Sequence, residues 1–132
     1  MCVIAHKGRI LTSIGHDNVR NEDFYRLLGG SLHFGETAEQ GVRREMREEL
    51  HSEIEDLKLL TVIENIFIYN GEPGHEIVFL FWGELANKGI YEQEKIHIVE
   101  DNYEFDAVWI STADISEQKI RLYPEFNYLK IL

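Results

Sequence analysis

The stretch GGSLHFGETAEQGVRREMREELHSEI, residues 29–54, decides how the rest of the chain is read. Thr37 followed by Gln40 is a capping box, in which each side chain satisfies a free backbone N–H at a helix start. The helix it opens runs to about Leu50. With Glu45 set at 0° and about 100° per residue, Val42, Met46 and Leu50 fall at about 60°, 100° and 140°, a narrow apolar stripe. Glu45, Glu49 and Glu48 lie directly beside that stripe at about 0°, 40° and −60°, and Arg43, Arg44 and Arg47 lie round the back. Glu45 and Glu49 are like charges at i,i+4, which costs about 0.2–0.5 kcal/mol. Two readings of this face stand side by side. It is a solvated acidic face, or it is a cage of hard oxygen ligands for Mg²⁺ or Mn²⁺. Gly29-Gly30, just upstream, is either a tight turn or a place where backbone approaches a ligand closely.

Outward from the helix, the pattern predicts short strands at residues 3–5 and 9–13 around a His6-Lys7-Gly8 turn, a loop over 14–23, and a strand over 24–28. Residues 57–69 and 76–85 are apolar runs separated by Asn70-Gly71 and Pro73-Gly74, and are expected to form a long hairpin. Residues 95–100 are a short strand or an ordered loop, and 107–110 a strand. Ser111 or Thr112 caps a short helix, and residues 124–132 read as a closing helix with Phe126, Leu129 and Ile131 inward. This order predicts a single α/β domain over 1–132, with a mixed sheet covered by helices.

Composition narrows the function classes. The chain has 132 residues and a formal charge of −11, from 13 Lys+Arg and 24 Asp+Glu. Such a surface speaks against duplex nucleic acid, which needs basic residues, but not against a small phosphorylated ligand bridged by a divalent cation. No apolar run reaches the roughly 18 residues of a membrane span. Cys2 is the single cysteine and forms no internal disulfide, which fits a cytoplasmic location. The six histidines show no zinc-type spacing. Oligomeric state is left open, a homodimer included.

Residues 30–52 resemble the Nudix box. Gly30, Glu36, Arg44, Glu45, Met46, Glu48 and Glu49 stand at the family's spacing, while His51 replaces a glycine and Ser52 an aliphatic residue. The resemblance implies a Nudix-type α/β/α sandwich with the box helix packed on a mixed sheet. It also implies a hydrolase that cleaves a nucleoside diphosphate linked to another group, by water attack on phosphorus. Carried over by position, Glu45, Glu49 and the Gly30 carbonyl would hold Mg²⁺ (or Mn²⁺), and Glu48 would be a ligand or the base. Arg44 would orient the glutamates and Glu36 would support the loop–helix junction. A further ligand is expected from Glu100, Asp101 or Glu104. Glu104 is favoured because, five residues before Trp109, it lies close to where the family the chain resembles carries such a residue. For substrate binding, Arg26 and Tyr69 are the candidates. Tyr69 follows the box at a distance where relatives that cleave dinucleoside polyphosphates carry a tyrosine. A proline associated with ADP-ribose hydrolases is missing near Phe67 and Ile68. The rival reading is a sensor or interaction module of the same fold that binds a nucleotide without turnover. His51 is expected to cost about 1 kcal/mol as a left-handed helix terminator.

Overall fold

The computed structural model describes residues 1–131. Its elements are β1 (Cys2–Val3), β2 (Ala5–His6), β3 (Arg9–Asp17), β4 (Glu22–Leu27), α1 (Ala38–Leu50), β5 (Ile54–Tyr69), β6 (Glu72–Leu85), β7 (Lys95–Glu100), β8 (Tyr103–Ser111), α2 (Thr112–Ser116) and β9 (Leu122–Tyr123). Two short 3₁₀ turns span Lys88–Glu92 and Tyr128–Lys130. One sheet has the order β1-β6-β5. The other has the order β7-β8-β3-β4-β9, with β2 paired to β3. Both are mixed, because β1 runs parallel to β6 and β9 parallel to β4.

The two-residue period of strands divides the core. Ile4, Leu11, Leu28 and Phe81 join Val42, Met46 and Leu50 of α1 in one buried cluster. Their chain neighbours Val3, Ile10, Leu27 and Leu80 join Ile110, Leu122 and Tyr128 in a second. Ile115 of α2 and Phe126 and Ile131 near the C-terminus pack on that second cluster. The result is the expected mixed α/β sandwich with α1 packed on sheet. No helix among the described residues is long and apolar enough to cross a membrane.

Three expectations need correction. Residues 14–17 are not loop; they extend β3 and pair with residues 22–25 of β4. Their polar composition belongs to the solvent-facing end of a hairpin, where alternation no longer marks a strand. The β5–β6 turn is Asn70-Gly71 alone, with φ of 50° and 79°. Both values are positive, as a two-residue primed turn requires, and Pro73 already sits in β6 opposite Ile68. The closing helix is absent from the described part of residues 124–132. β9 holds the chain extended through Leu122–Tyr123, and beyond it the chain forms only the 3₁₀ turn Tyr128–Lys130. Phe126 and Ile131 do pack inward, whereas Leu129 is exposed and Leu132 lies outside the described residues.

Candidate metal centre and adjoining cavities

Helix α1 begins as its sequence dictates. The Thr37 hydroxyl accepts from the Gln40 N–H at 3.1 Å, and the Gln40 side chain accepts from the Thr37 N–H at 2.9 Å. It ends at His51, in the left-handed region at φ 52°, ψ 42°. Ser52 is buried and ties the following turn down. Its hydroxyl accepts from the Asn87 N–H at 3.0 Å and donates to the Glu53 carbonyl at 2.8 Å. Ile54 takes the core place beside it.

Arg44 organises the loop and the helix together. Its guanidinium donates to both oxygens of Glu36, at 2.7 and 3.0 Å, and to the Ser31 carbonyl at 3.0 Å. Its Nη1 donates to Glu45 Oε1 at 2.9 Å and to Glu48 Oε2 at 3.2 Å. Hydrogen bonds from Arg44 and from the His33 N–H hold the Glu36 carboxyl down at about 2. Gly30 lets the Glu45 carboxylate approach closely: a Cβ there would stand 2.5 Å from Glu45 Oε1 and displace it.

Beside the apolar stripe, Glu45 and Glu49 are each only 6% exposed. Glu100, at the end of β7, joins them, and one oxygen from each of the three lies within 4.8 Å of the others. Burial, then the negative charges of Glu45 and Glu100, push the Glu49 carboxyl up to about 9. Burial, then Glu45 and Glu48, also raise that of Glu100. Glu49 Oε2 is buried and has no hydrogen-bond partner. Arg44 partners Glu45, but no cation partners Glu49, and a buried carboxylate beside like charges is costly. An all-oxygen donor set with an orphaned oxygen fits a hard divalent cation such as Mg²⁺ or Mn²⁺.

The structure thus brings Gly30, Arg44, Glu45, Glu48 and Glu49 together, and adds Glu100. Glu104 is not part of the cluster; it is exposed and stands 3.5 Å from His97 Nε2. Strand parity explains the difference. Ile96, Ile98 and Glu100 share the inward face of β7, while Glu104 pairs across from Val99 on the outward face. The inward repeat Ile96-x-Ile98-x-Glu100 was the sequence signal for the right residue.

One cavity adjoins the cluster, and a second shares lining residues with the first. The first, of about 560 Å³, runs from Gly30 and Glu45 to Phe79 and Phe81 of β6. The second, of about 340 Å³, lies between the β3–β4 and β5–β6 hairpins and is lined by Phe24, Phe67 and Tyr69. Arg26 and Glu76 line both. The Tyr69 hydroxyl reaches only the His16 carbonyl, at 3.4 Å. Sequence reasoning did not single out Glu76 or its partner Asn65, because a lone polar residue inside an apolar strand carries no local pattern.

Comparison with known proteins gives two findings. A family model described as "NUDIX domain" matches residues 2–128. Among solved structures, the solution structure of the E. coli ORF135 protein is similar, with a TM-score of 0.50 and 18% identity over 93% of this chain and 77% of that one. At that identity the likeness concerns the fold.

Proposed function

From the premise that this chain belongs to the Nudix domain family, we propose that it is a divalent-metal-dependent hydrolase of nucleotide derivatives. It cleaves a phosphoanhydride bond in a nucleoside diphosphate linked to another group. The observation that carries this reading is the convergence of Glu45, Glu49 and Glu100, with Glu49 Oε2 buried and unpartnered.

The Gly30 carbonyl, Glu45, Glu49 and Glu100 would hold Mg²⁺ or Mn²⁺, Glu100 standing where Glu104 was expected. When bound, the ion neutralises the diphosphate, lowers the pKa of an attacking water and stabilises charge developing at phosphorus. Arg44 fixes the orientation of Glu45 and Glu48 through hydrogen bonds that also anchor the Gly30–Glu36 loop. Glu48 is half-exposed and bonded to Arg44 through Oε2, so Oε1 is the atom that accepts the water's proton. Arg26 and Tyr69 line the cavities that receive the rest of the substrate. With a chain charge of −11, such a ligand is bound through the cation and these local cationic side chains, not through a basic surface.

The test is a mass-spectrometric hydrolysis screen with Mg²⁺ or Mn²⁺, over nucleoside triphosphates, oxidised dGTP, ADP-ribose, nucleotide sugars and diadenosine polyphosphates. Metal-dependent turnover is expected, and Glu48→Gln and Glu49→Gln are each expected to lower it by roughly 10³-fold or more. Near-normal activity in both variants would overturn the site assignment. Nucleotide binding without turnover would favour the sensor reading.

A further inference from the structure

The two cavities meet at one ion pair that stands apart from the carboxylate cluster. Arg26 lies on β4 of one sheet and Glu76 on β6 of the other, with Nη2 and Oε1 3.9 Å apart. That separation is too long for a hydrogen bond. Among the described residues the Arg26 guanidinium makes no side-chain hydrogen bond, so its donors are unspent. Glu76 is held in place by Asn65, its cross-strand partner, whose Nδ2 donates to Oε1 at 3.0 Å. Asn65 is 8% exposed, so this amide is fixed by its surroundings. Both contacts engage Oε1, so Oε2 has no protein hydrogen bond among the described residues, and Glu76 lines both cavities.

The walls of the smaller cavity are flat and aromatic. Phe24 stands opposite Gly15 across β3–β4 and lies over it, so closely that a Cβ on Gly15 would enter the ring. Phe67 does the same over Gly74 across β5–β6. One ring therefore comes from each sheet, and both line the same cavity. Tyr69 and Tyr123 meet Phe24 edge-on, at centroid distances of 5.5 and 5.7 Å. Aromatic faces of this kind stack heteroaromatic rings whatever their edge carries. Selection then falls to the edge groups. A carboxylate only accepts and a guanidinium only donates, so the fitting edge presents N–H donors next to an acceptor.

We infer that Arg26 and Glu76 are specificity-determining residues that select a 6-oxopurine base, guanine above all. Glu76 accepts from the N1–H and the 2-amino group, and Arg26 donates to O6. Adenine is mismatched on both sides, since it turns a lone pair at N1 towards the carboxylate and an amino group towards the guanidinium. Hypoxanthine keeps N1–H and O6 but lacks the 2-amino donor, and falls between. The inference rests on the nucleotide reading above, with the diphosphate at the Glu45–Glu49–Glu100 end of the larger cavity.

The experiment compares kcat/KM for the guanosine, inosine and adenosine forms of the best substrate type found in the screen. Calorimetric binding of GDP and ADP, with Mg²⁺ present, is measured in parallel. The wild-type chain is expected to favour guanosine over adenosine by about tenfold or more, with inosine between. Glu76→Gln and Arg26→Gln are each expected to collapse the ratio, chiefly through KM, in proteins whose melting curves match the wild type. Should Glu76→Gln fail to fold, Arg26→Gln carries the same test. Metal-dependent turnover with equal guanosine and adenosine values, or a preference that survives both substitutions, overturns this inference and leaves the hydrolase reading intact. Guanine-selective, Glu76-dependent binding without turnover supports the inference and overturns hydrolysis. Neither turnover nor binding overturns both.

Discussion

Glu100, the last residue of β7, places a carboxylate oxygen within 4.8 Å of one on Glu49, a residue of the last turn of α1. The two are far apart in sequence and are joined by the packing of β7 against α1. Their juxtaposition assigns the third carboxylate of the cluster to the inward face of β7. Glu100→Gln is therefore expected to weaken Mn²⁺ binding by about tenfold or more, read by calorimetry or by water-proton relaxation. Glu104→Gln is expected to leave it within about twofold, because Glu104 faces outward beside His97. The opposite ranking would return the ligand to Glu104 and overturn the strand-parity argument.

Proton linkage offers a second test of the same cluster. In the metal-free protein the Glu49 carboxyl is raised from 4.5 to about 9. Between those values the folded state holds a proton that the unfolded chain has lost, so unfolding free energy falls as pH rises. The contribution is full below about pH 4.5 and is lost as pH climbs through about 9. Subtracting the melting curve of Glu49→Gln from that of the wild type, both in chelator, is expected to show this decline. Saturating Mg²⁺ competes with the proton and is expected to flatten it. A wild-type difference curve that is flat without metal would mean that Glu49 is ionised in the empty site.

How far the sequence disclosed this molecule depends on whether the information was local. Helix α1 was legible in full, since its cap, its stripe and its acidic flank are neighbours along the chain. The choice between Glu100 and Glu104 was not settled by distance from Trp109. It turned on which face of β7 looks at the helix, a property of register and not of separation. Residues 14–17 hid as loop because a solvent-facing hairpin end has no apolar alternation to show. Asn65 and Glu76 became visible only when β5 and β6 were paired, because their meaning lies in standing opposite each other.

Arg44 offers a third test, of positioning. Its side chain is 19% exposed and that of Glu36 13%, so the pair is largely removed from water. The planar fork spans both oxygens of Glu36 and still reaches Glu45, Glu48 and the Ser31 carbonyl. A lysine has one compact ammonium and cannot satisfy all of these. Arg44→Lys is expected to cost about 2 kcal/mol in urea unfolding, and to lower kcat more than KM because the glutamates lose their anchor. Wild-type stability together with wild-type kcat would remove Arg44 from its organising role.

The helix terminus supplies the last test, on stability alone. His51 adopts φ 52°, ψ 42°, and its N–H caps the helix by donating to the Arg47 carbonyl at 3.1 Å. A residue with a Cβ pays about 1–2 kcal/mol in this region, whereas glycine does not. Glycine also loosens the unfolded chain, which offsets part of the gain. The side chain of His51 is exposed, so nothing packed is lost on removing it. His51→Gly is therefore expected to stabilise by about 0.5–1 kcal/mol, a rise of about 2–4 °C in Tm. Metal affinity should not change, since the cap lies beyond the carboxylates of α1. A fall in Tm would show that the imidazole holds this turn by contacts other than its backbone, and Ser52→Ala would then separate the two ties. That variant removes the hydroxyl on which the Asn87 N–H depends, so a loss of about 1–3 kcal/mol is expected there in either case.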